Sequence, residues 1–313
     1  MSIVPTIKKD QHDLAYYLKC MIGGSLACGL THAAMTPVDV IKCRMQVNPG
    51  LYTSMRHAYT TIKVTEGTKG LTLGFAPTLI GYHLQGLGKY GFYEVFKDVF
   101  AGIVGPENAV KYRGVGWAVA SASAEIIADV LLCPWEAVKV RIQTSKPGTF
   151  PTGTVEAINK IRAAEGNNGL YKGLAPLWGR QIPYTVMKFV AFERIIETFY
   201  KNVFTKPKHE YSKATQLSIT FVSGYIAGIL CAIVSQPADN MVSQLNSIKT
   251  GGSTSENIKK IYGEIGFSGL WRGMGPRLLM VGTLTGLQWW IYDSFKTLVG
   301  LQTTGGVVPP SAK

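Results

Sequence analysis

Several features that are common in soluble enzymes are scarce or missing in this sequence of 313 residues. Only 16% of the residues are charged, and 19 acidic residues face 32 lysines and arginines. The five cysteines form no Cys-x-x-Cys pair, and their odd number fits neither a disulfide framework nor a metal site. The sequence holds no Gly-x-Ser-x-Gly, no His-Glu-x-x-His and no glycine-rich phosphate loop. We therefore expect no enzyme activity, no metal and no cofactor.

Long uninterrupted apolar segments are missing as well. No segment is a clean run of about 20 apolar residues, the length that a lipid-surrounded helix needs. Hydrophobic residues nevertheless make up 46% of the chain, and the mean hydropathy is +0.13. Polar groups inside a membrane normally face a bundle interior or a water-filled cavity. The composition therefore predicts a membrane helix bundle whose polar faces point inward.

The net charge of +13 indicates an anionic partner. Nucleic acid, anionic lipid and anionic solute are the usual candidates. The basic residues are spread along the chain without interleaved aromatic residues, which argues against nucleic-acid binding. The first 13 residues lack an apolar core and carry two aspartates, so we predict internal targeting information.

One short motif, Pro-x-acid-x-x-base, organises the chain. It begins at Pro37 and Pro134, and a degraded copy begins at Pro237, at intervals of 97 and 103 residues. A Gly-Leu-x-x-Gly motif begins at residues 70, 169 and 269, and an aromatic–acid pair stands at 93–94, 192–193 and 292–293. Soluble solenoid repeats extend only to about 50 residues. The spacing therefore predicts three copies of a two-helix membrane unit.

These motifs resemble those of the mitochondrial carrier family, over roughly residues 15–300. The resemblance implies an all-α membrane protein of the inner mitochondrial membrane. It would have six transmembrane helices in three pseudo-symmetric repeats, with short surface helices on the matrix side. The predicted units are an N-terminal tail at 1–14, repeats at 15–105, 106–204 and 205–300, and a C-terminal tail at 301–313 that we expect to be disordered.

The predicted helices follow the repeat, and glycine and proline residues end them. Long helices are expected at about 14–47, 72–104, 112–144, 171–203, 212–247 and 273–300. Short helices are expected at about 52–64, 152–164 and 254–265. Gly224 and Gly228 are spaced so that two helix backbones can approach closely.

The resemblance also implies a gate, a ring of ion pairs between repeats that closes the matrix end. Val242 stands where the third base belongs, so the ring has three acids and two lysines. If each acid pairs with the base of the following repeat, Glu136 has no partner. Pairing within one helix, three residues apart, is the alternative. The gate residues implied here, two glutamines that brace the ring included, are Asp39, Lys42, Lys139, Asp239, Gln46 and Gln143.

Titratable residues share a face with the motif acids. Seven residues are nearly two helical turns, so His32 lies over Asp39, and Asp129 lies over Glu136 with Glu125 one turn further. Glu125 stands where the other repeats carry a small residue. Histidine changes charge near neutral pH. We predict that His32, Glu125, Asp129 and Glu136 handle protons, with a structural, hydrogen-bonded role for His32 as the alternative.

The even-numbered predicted helices add groups that bind anions. In the family, the position four residues after the helix proline contacts substrate, and only Arg180 is charged there. Arginine binds phosphate or carboxylate oxygens with its planar fork. The two lysines nearer the other end have a second interpretation, as solvated or mouth-closing residues. The predicted substrate residues are Arg180, Gln181, Gln85, Lys89 and Lys188.

This small, mixed site with extra titratable groups, taken together with the family resemblance, predicts import of inorganic phosphate into the matrix by alternating access, with proton symport or hydroxide antiport. A carrier of another small anion, such as a dicarboxylate, and a non-transporting import receptor or scaffold remain as alternatives. We also expect membrane lipid to bind, with cardiolipin at the helix starts near Gly173 and Gly273.

Overall fold

The computed structural model describes residues 12–47, 50–145, 148–247, 254–271 and 274–305. Every regular element within these ranges is helical: twelve α-helices and one short 3-10 helix. Their bounds are α1 Leu14–Ala34, α2 Thr36–Val47, α3 Met55–Leu71, α4 Phe75–Val104, α5 Pro106–Lys111, α6 Arg113–Thr144, α7 Thr154–Glu165, α8 Asn168–Tyr171, α9 Leu174–Asn202, α10 Lys213–Ser247, α11 Thr254–Gly269 and α12 Met274–Leu298, with the 3-10 helix at Lys208–Glu210.

Six long helices form a closed ring. Each of α1, α4, α6, α9, α10 and α12 packs against the next, and α12 packs back against α1. Within the described residues, two segments, Arg113–Thr144 and Lys213–Pro237, are long and apolar enough to cross a membrane by length and composition alone. The predicted long helices are confirmed in number and order, with shifts of a few residues at their ends.

The first predicted long helix is wrong in one respect, because it is two helices. α1 ends at Ala34, and α2 begins at Thr36, with Met35 between them. Proline has no backbone N–H and its ring crowds the preceding turn, which explains a break just before Pro37. Pro134 and Pro237 lie inside α6 and α10, which continue through them.

The three shorter helices α3, α7 and α11 each have a glycine with a positive φ angle within them or directly after them. Gly67, Gly166 and Gly266 have φ angles of 70°, 66° and 62°. A residue with a side chain is strained at such angles, whereas glycine is not. These glycines are 99 and 100 residues apart, so the repeat is present in the backbone as well as in the motifs.

Ion pairs link α3 to α2 and α7 to α6, the helices that carry the first two Pro-x-acid-x-x-base motifs. Arg44 at the end of α2 pairs with Glu66, with 2.9 Å between Nη2 and Oε2. Arg141 at the end of α6 pairs with Glu165, which also pairs with Lys172. Lys172 and Arg141 lower the pKa of the Glu165 carboxyl below its ordinary value. The same link is therefore made in the first and second repeats.

Small residues allow neighbouring helices to touch through their backbones, as predicted for Gly224 and Gly228. A Cβ atom at Gly228 would lie 2.7 Å from the carbonyl oxygen of Val281 on α12. The contact between α1 and α4 is tighter, since a Cβ atom at Gly86 would lie 2.1 Å from the carbonyl oxygen of Gly24. These two helix pairs have no room for a side chain at the crossing.

The prediction of a disordered C-terminal tail is wrong for its first residues. Residues 301–305, here called the C-terminal strap, follow α12 and include buried Thr303 and Thr304. The backbone N–H and hydroxyl of Thr304 donate to Asp293 Oδ1 at 2.9 and 2.7 Å. The hydroxyl of Thr220 donates to Asp293 Oδ2 at 2.7 Å. Asp293 is fully buried, so this carboxylate requires such donors.

Lys208 fixes the C-terminal strap from the other side. Its ammonium donates to the carbonyl oxygens of Thr303 and Gly305 at 2.5 and 2.6 Å. Lys208 lies in the connection between α9 and α10. The C-terminal strap therefore joins the end of the last helix to the beginning of the third repeat.

Thr304→Val is expected to destabilise the protein. Valine keeps the shape of threonine and the backbone N–H but removes the hydroxyl donor to Asp293. Leaving a buried acceptor short of a donor costs about 1–3 kcal/mol. Thermal unfolding of the purified protein in detergent measures the loss. Thr198→Val is the matched control, because the hydroxyl of Thr198 donates only to a carbonyl of its own helix on the exposed side. Equal melting temperatures for the two variants would contradict the role given to Thr304.

Candidate functional site

The motif end of the ring is the end at which the Pro-x-acid-x-x-base motifs lie. Lys139 is at the centre of the ion pairs there. Its ammonium lies 3.2 Å from Asp39 Oδ2, which belongs to the preceding repeat, and 2.8 Å from Glu136 Oε2 on its own helix. The structure thus combines the pairing between repeats and the pairing within one helix. The prediction that Glu136 has no partner is wrong, because Lys139 is buried between both carboxylates.

Two other predicted gate residues, Lys42 and Gln143, do not join these ion pairs. Lys42 is exposed. Gln143 was expected to brace the ring, but its side-chain amide donates to the carbonyl oxygen of Leu73 at 3.1 Å. Gln143 therefore links α6 to the turn before α4. The side chains of Gln46 and Asp239 lie outside the described part of the chain.

His32 lies on α1, between the gate and the middle of the ring. Its imidazole stacks on Tyr82 with 3.7 Å between ring centroids, and its Nδ1 lies 2.9 Å from the carbonyl oxygen of Cys28. A carbonyl only accepts hydrogen bonds, so Nδ1 carries the hydrogen and Nε2 is the basic nitrogen. Lys139 Nζ lies 5.4 Å from the centroid of the same Tyr82 ring. Tyr82 thus contacts both His32 and the gate.

Gln85, Lys89, Glu125 and Asp129 form a buried polar group between α4 and α6. The ammonium of Lys89 lies 2.9 Å from Glu125 Oε2. The amide of Gln85 donates to Glu125 Oε1 at 2.9 Å and to Asp129 Oδ1 at 3.3 Å. Glu125 and Asp129 are fully buried. Residues predicted for substrate and residues predicted for protons are therefore direct neighbours.

Lys188 lies across the ring on α9 and has a different partner. Its ammonium donates to Gln288 Oε1 on α12 at 3.1 Å. The rings of Tyr90 and Phe189 lie 5.7 and 5.4 Å from it. Among the side chains that the structure describes, no carboxylate lies within ion-pair distance of Lys188. The charge of Lys89 is compensated by Glu125, whereas a neutral amide holds that of Lys188.

Gln288 is a site residue that is absent from the residues predicted above. It stands twelve residues after a helix proline, the repeat position of Lys89 and Lys188, and this is the signal that would have identified it. We call Gln85, Lys89, Glu125, Asp129, Lys188 and Gln288 the central cluster.

Arg180 and Gln181 lie nearer the motif end than the central cluster. Arg180 precedes Lys188 by eight residues, about 12 Å along the helix axis. Arg180 is exposed and Gln181 is half-buried. The structure therefore separates the predicted substrate residues into an outer level with Arg180 and a buried level with Lys89 and Lys188.

The opposite, distal end of the ring carries a second set of ion pairs. Lys97 Nζ lies 3.0 Å from Glu94 Oε2 on its own helix and 3.9 Å from Glu193 Oε1 in the second repeat. The hydroxyl of Tyr93 donates to Glu193 at 3.2 Å. Tyr93, Glu94 and Glu193 belong to the aromatic–acid pairs that mark the repeat, and the sequence alone predicts no ion pair for them. Contacts at both ends leave the central cluster closed off, and the exposed fraction of its side chains is at most 5%.

The described residues contain no group of three or more histidine, cysteine and acidic side chains that could hold a metal. Gly173 directly precedes α9, as expected for a helix start, and Gly273 lies outside the described residues.

Comparisons with known proteins agree with this architecture. The family described as "Mitochondrial carrier protein" matches residues 14–103, 113–203 and 213–302. The "Probable mitochondrial phosphate carrier protein" of Schizosaccharomyces pombe is 56% identical over 93% of each chain. "Phosphate carrier protein, mitochondrial" of Caenorhabditis elegans is 54% identical over 91% of this chain and 82% of that protein. "Mitochondrial phosphate carrier protein 3, mitochondrial" of Arabidopsis thaliana is 51% identical over 97% of this chain and 79% of that protein.

Proposed function

We propose, because this chain belongs to the mitochondrial carrier family, that its transported solute is inorganic phosphate. The protein is a multi-pass transporter of the inner mitochondrial membrane and not an enzyme. The relatives described above bear phosphate carrier names and match over nearly the full length of the chain. The observation that supports this solute best is the pair of buried lysines, one with a carboxylate and one with a neutral amide.

Phosphate binds between Lys89 and Lys188 in this proposal. An ammonium group binds phosphate oxygens as a compact point charge, and the water-excluded surroundings strengthen the attraction. Lys188 supplies a second ammonium, and no carboxylate of the described residues forms an ion pair with it. Arg180, at the outer level of α9, offers a planar fork on the way from the motif end.

Proton coupling is a further part of the proposal. Phosphate competes with Glu125 for the ammonium of Lys89, which lies 2.9 Å from that carboxylate. A buried carboxylate that loses its cation is costly unless it binds a proton. Glu125 therefore takes up a proton when phosphate arrives, with Asp129 beside it and the basic nitrogen of His32 as the next acceptor. Phosphate and proton enter together.

Two gates make the central cluster accessible in turn. The motif end opens when Lys139 leaves Asp39, and the distal end opens when Lys97 leaves Glu193. Alternating access in inner-membrane and other secondary transporters requires such gates on either side of a fixed site. The resemblance assigns the motif end to the matrix.

Cardiolipin is proposed at the starts of α9 and α12. The first N–H groups of a helix have no partner within the helix and attract anionic headgroups. The position of Gly173 before α9 supports this assignment for the second repeat.

Reconstitution into liposomes tests the transported solute. We expect labelled phosphate uptake that internal phosphate accelerates, and no comparable uptake of labelled malate. Preference for malate would favour the dicarboxylate alternative. Absence of transport for both anions, from protein that is folded in detergent, would favour a receptor or scaffold.

Glu125→Gln and His32→Ala are expected to separate coupling from binding. Each removes one group that binds protons, so uptake driven by a pH gradient should fall by about 100-fold, the lower end of what a proton-transferring group contributes. Exchange of internal for external phosphate moves no net proton and should be retained.

The two modes are measured on the same reconstituted protein, with and without a pH gradient and with internal phosphate present or absent. Glu107→Gln serves as the control, because Glu107 is exposed at the start of α5. Full pH-driven uptake by Glu125→Gln would rule out the proton route through α6. Loss of both modes would assign Glu125 to phosphate binding or to the conformational cycle.

A further inference from the structure

Gln288 is a buried amide whose orientation is fixed by its partners. Its oxygen accepts from Lys188 at 3.1 Å, and its nitrogen donates to the hydroxyl oxygen of Thr31 at 3.3 Å. The hydroxyl hydrogen of Thr31 is used on the carbonyl oxygen of Ala27 at 2.7 Å, so that oxygen is free to accept. An ammonium group only donates hydrogen bonds. Turning the amide over would place its NH2 group against the ammonium of Lys188, so the amide oxygen faces Lys188.

Residue 288 is an amide and not a carboxylate, so it brings no negative charge to Lys188. Lys89 stands at the same repeat position, and its partner is the carboxylate of Glu125 at 2.9 Å. Lys188 has an amide oxygen as its partner, which supplies a hydrogen bond without a negative charge. Both partners offer an oxygen that accepts a hydrogen bond, and glutamine and glutamate have the same shape. The partners of Lys89 and Lys188 therefore differ mainly in charge.

Other titratable groups surround the pair of Lys188 and Gln288 on the neighbouring helices. They are His32 and Cys28 on α1, Lys89 on α4, Glu125 on α6 and Cys231 on α10. Glu125 is the carboxylate in this set, and its oxygens are already bound by Lys89 and Gln85.

We propose that Gln288 is a positioning residue that holds Lys188 at the substrate site as an uncompensated cation. This inference rests on the proposed phosphate function. Gln288 accepts a hydrogen bond from the ammonium of Lys188 and places no negative charge beside it, so the arriving anion meets no competing carboxylate at position 288. Because its nitrogen is bound to Thr31, Gln288 also ties Lys188 to α1, the helix that carries His32.

Gln288→Glu is the informative substitution. The new carboxylate would keep the shape and the hydrogen bond to Lys188, but it would cancel the charge and lose the donor to Thr31. We expect the KM for phosphate, measured in phosphate/phosphate exchange, to rise more than about tenfold at pH 8, the effect of about 1.4 kcal/mol. The increase relative to the wild-type protein should shrink as the pH on both sides is lowered to about 6, because protonation makes the new carboxyl neutral.

Gln288→Met is the matched control. Methionine has a similar length and no charge, so it removes the hydrogen bonds to Lys188 and Thr31 without adding a negative charge. We expect a KM increase of about threefold that does not depend on pH, because the cation remains but is less well positioned. The melting temperature and its rise on addition of phosphate are measured for both variants, so that binding is followed even where transport is too slow.

The results separate this inference from the function on which it rests. A wild-type protein that does not transport phosphate would overturn the proposed function. With active wild-type protein, a KM in Gln288→Glu within twofold of the wild-type value would overturn the role of Gln288. Equal, pH-independent defects in Gln288→Glu and Gln288→Met would also overturn it, because they would reduce Gln288 to a packing residue.

Discussion

Replacing Lys188 by methionine is expected to reduce both phosphate exchange and pH-driven uptake by about 100-fold. A hydrogen bond to a charged group contributes up to about 3 kcal/mol, which corresponds to that factor. Lys188 has no carboxylate partner among the described side chains, so its removal deletes substrate binding without exposing another buried charge. We therefore expect Lys188→Met to fold normally and to lose the stabilisation that phosphate confers on the wild-type protein.

Lys89 provides the contrast. Lys89→Met leaves the fully buried Glu125 without its cation, which is destabilising in itself. The double variant Lys89→Met with Glu125→Gln removes both charges, and we expect it to be more stable than Lys89→Met alone. Labelled phosphate exchange and melting temperatures of the three variants are compared with wild type. If Lys188→Met exchanges phosphate at the wild-type rate, the anion binds elsewhere, and Arg180 becomes the first candidate.

Gly86→Val is expected to prevent folding. A Cβ atom at this position would lie 2.1 Å from the carbonyl oxygen of Gly24. A backbone atom cannot relieve the clash by a rotamer change, as a side chain can. Overpacking a core costs about 1–3 kcal/mol where side chains can adjust, and more where they cannot. Separation of α1 from α4 would also disturb Gln85 and Lys89, which lie on α4. The yield of monodisperse protein in detergent should fall at least about tenfold.

Gly102 supplies the control on the same helix. A Cβ atom at Gly102 would have no neighbouring atom within 4 Å, so Gly102→Val introduces the same residue into α4 without a clash. The two variants are expressed and purified side by side, and their melting temperatures are compared. Wild-type yield and stability for Gly86→Val would show that α1 and α4 do not cross as closely as described.

The repeat explains why most of the fold could be predicted. Motifs that recur about every 100 residues define the helices of one unit and, through pseudosymmetry, those of the other two. The repeat did not predict that the helix breaks before Pro37 but continues through Pro134 and Pro237. Proline alone does not decide this, because neighbouring helices and side chains can satisfy the carbonyl that it leaves free.

The charged residues of the site could be predicted from the sequence, but most of their contacts between different helices could not. Lys139 binds both Asp39 and Glu136 because the two carboxylates converge from different helices, which spacing along one helix cannot indicate. Gln288 was overlooked because the corresponding positions of the third repeat, Met280, Leu284 and Gln288, hold no charged residue. The first residues of the C-terminal tail have a polar sequence that suggests disorder, but the buried carboxylate of Asp293 needs the donors that Thr304 supplies.

The C-terminal strap makes the third repeat depend on residues that lie far apart in the chain. Asp293 receives donors from Thr220, 73 residues before it, and from Thr304, eleven residues after it. Lys208 binds the same segment through the carbonyl oxygens of Thr303 and Gly305. A chain shortened to Leu298 would therefore leave the buried carboxylate of Asp293 without the donors of Thr304. A truncation or a fused tag that displaces the strap would weaken the third repeat although every long helix is still present.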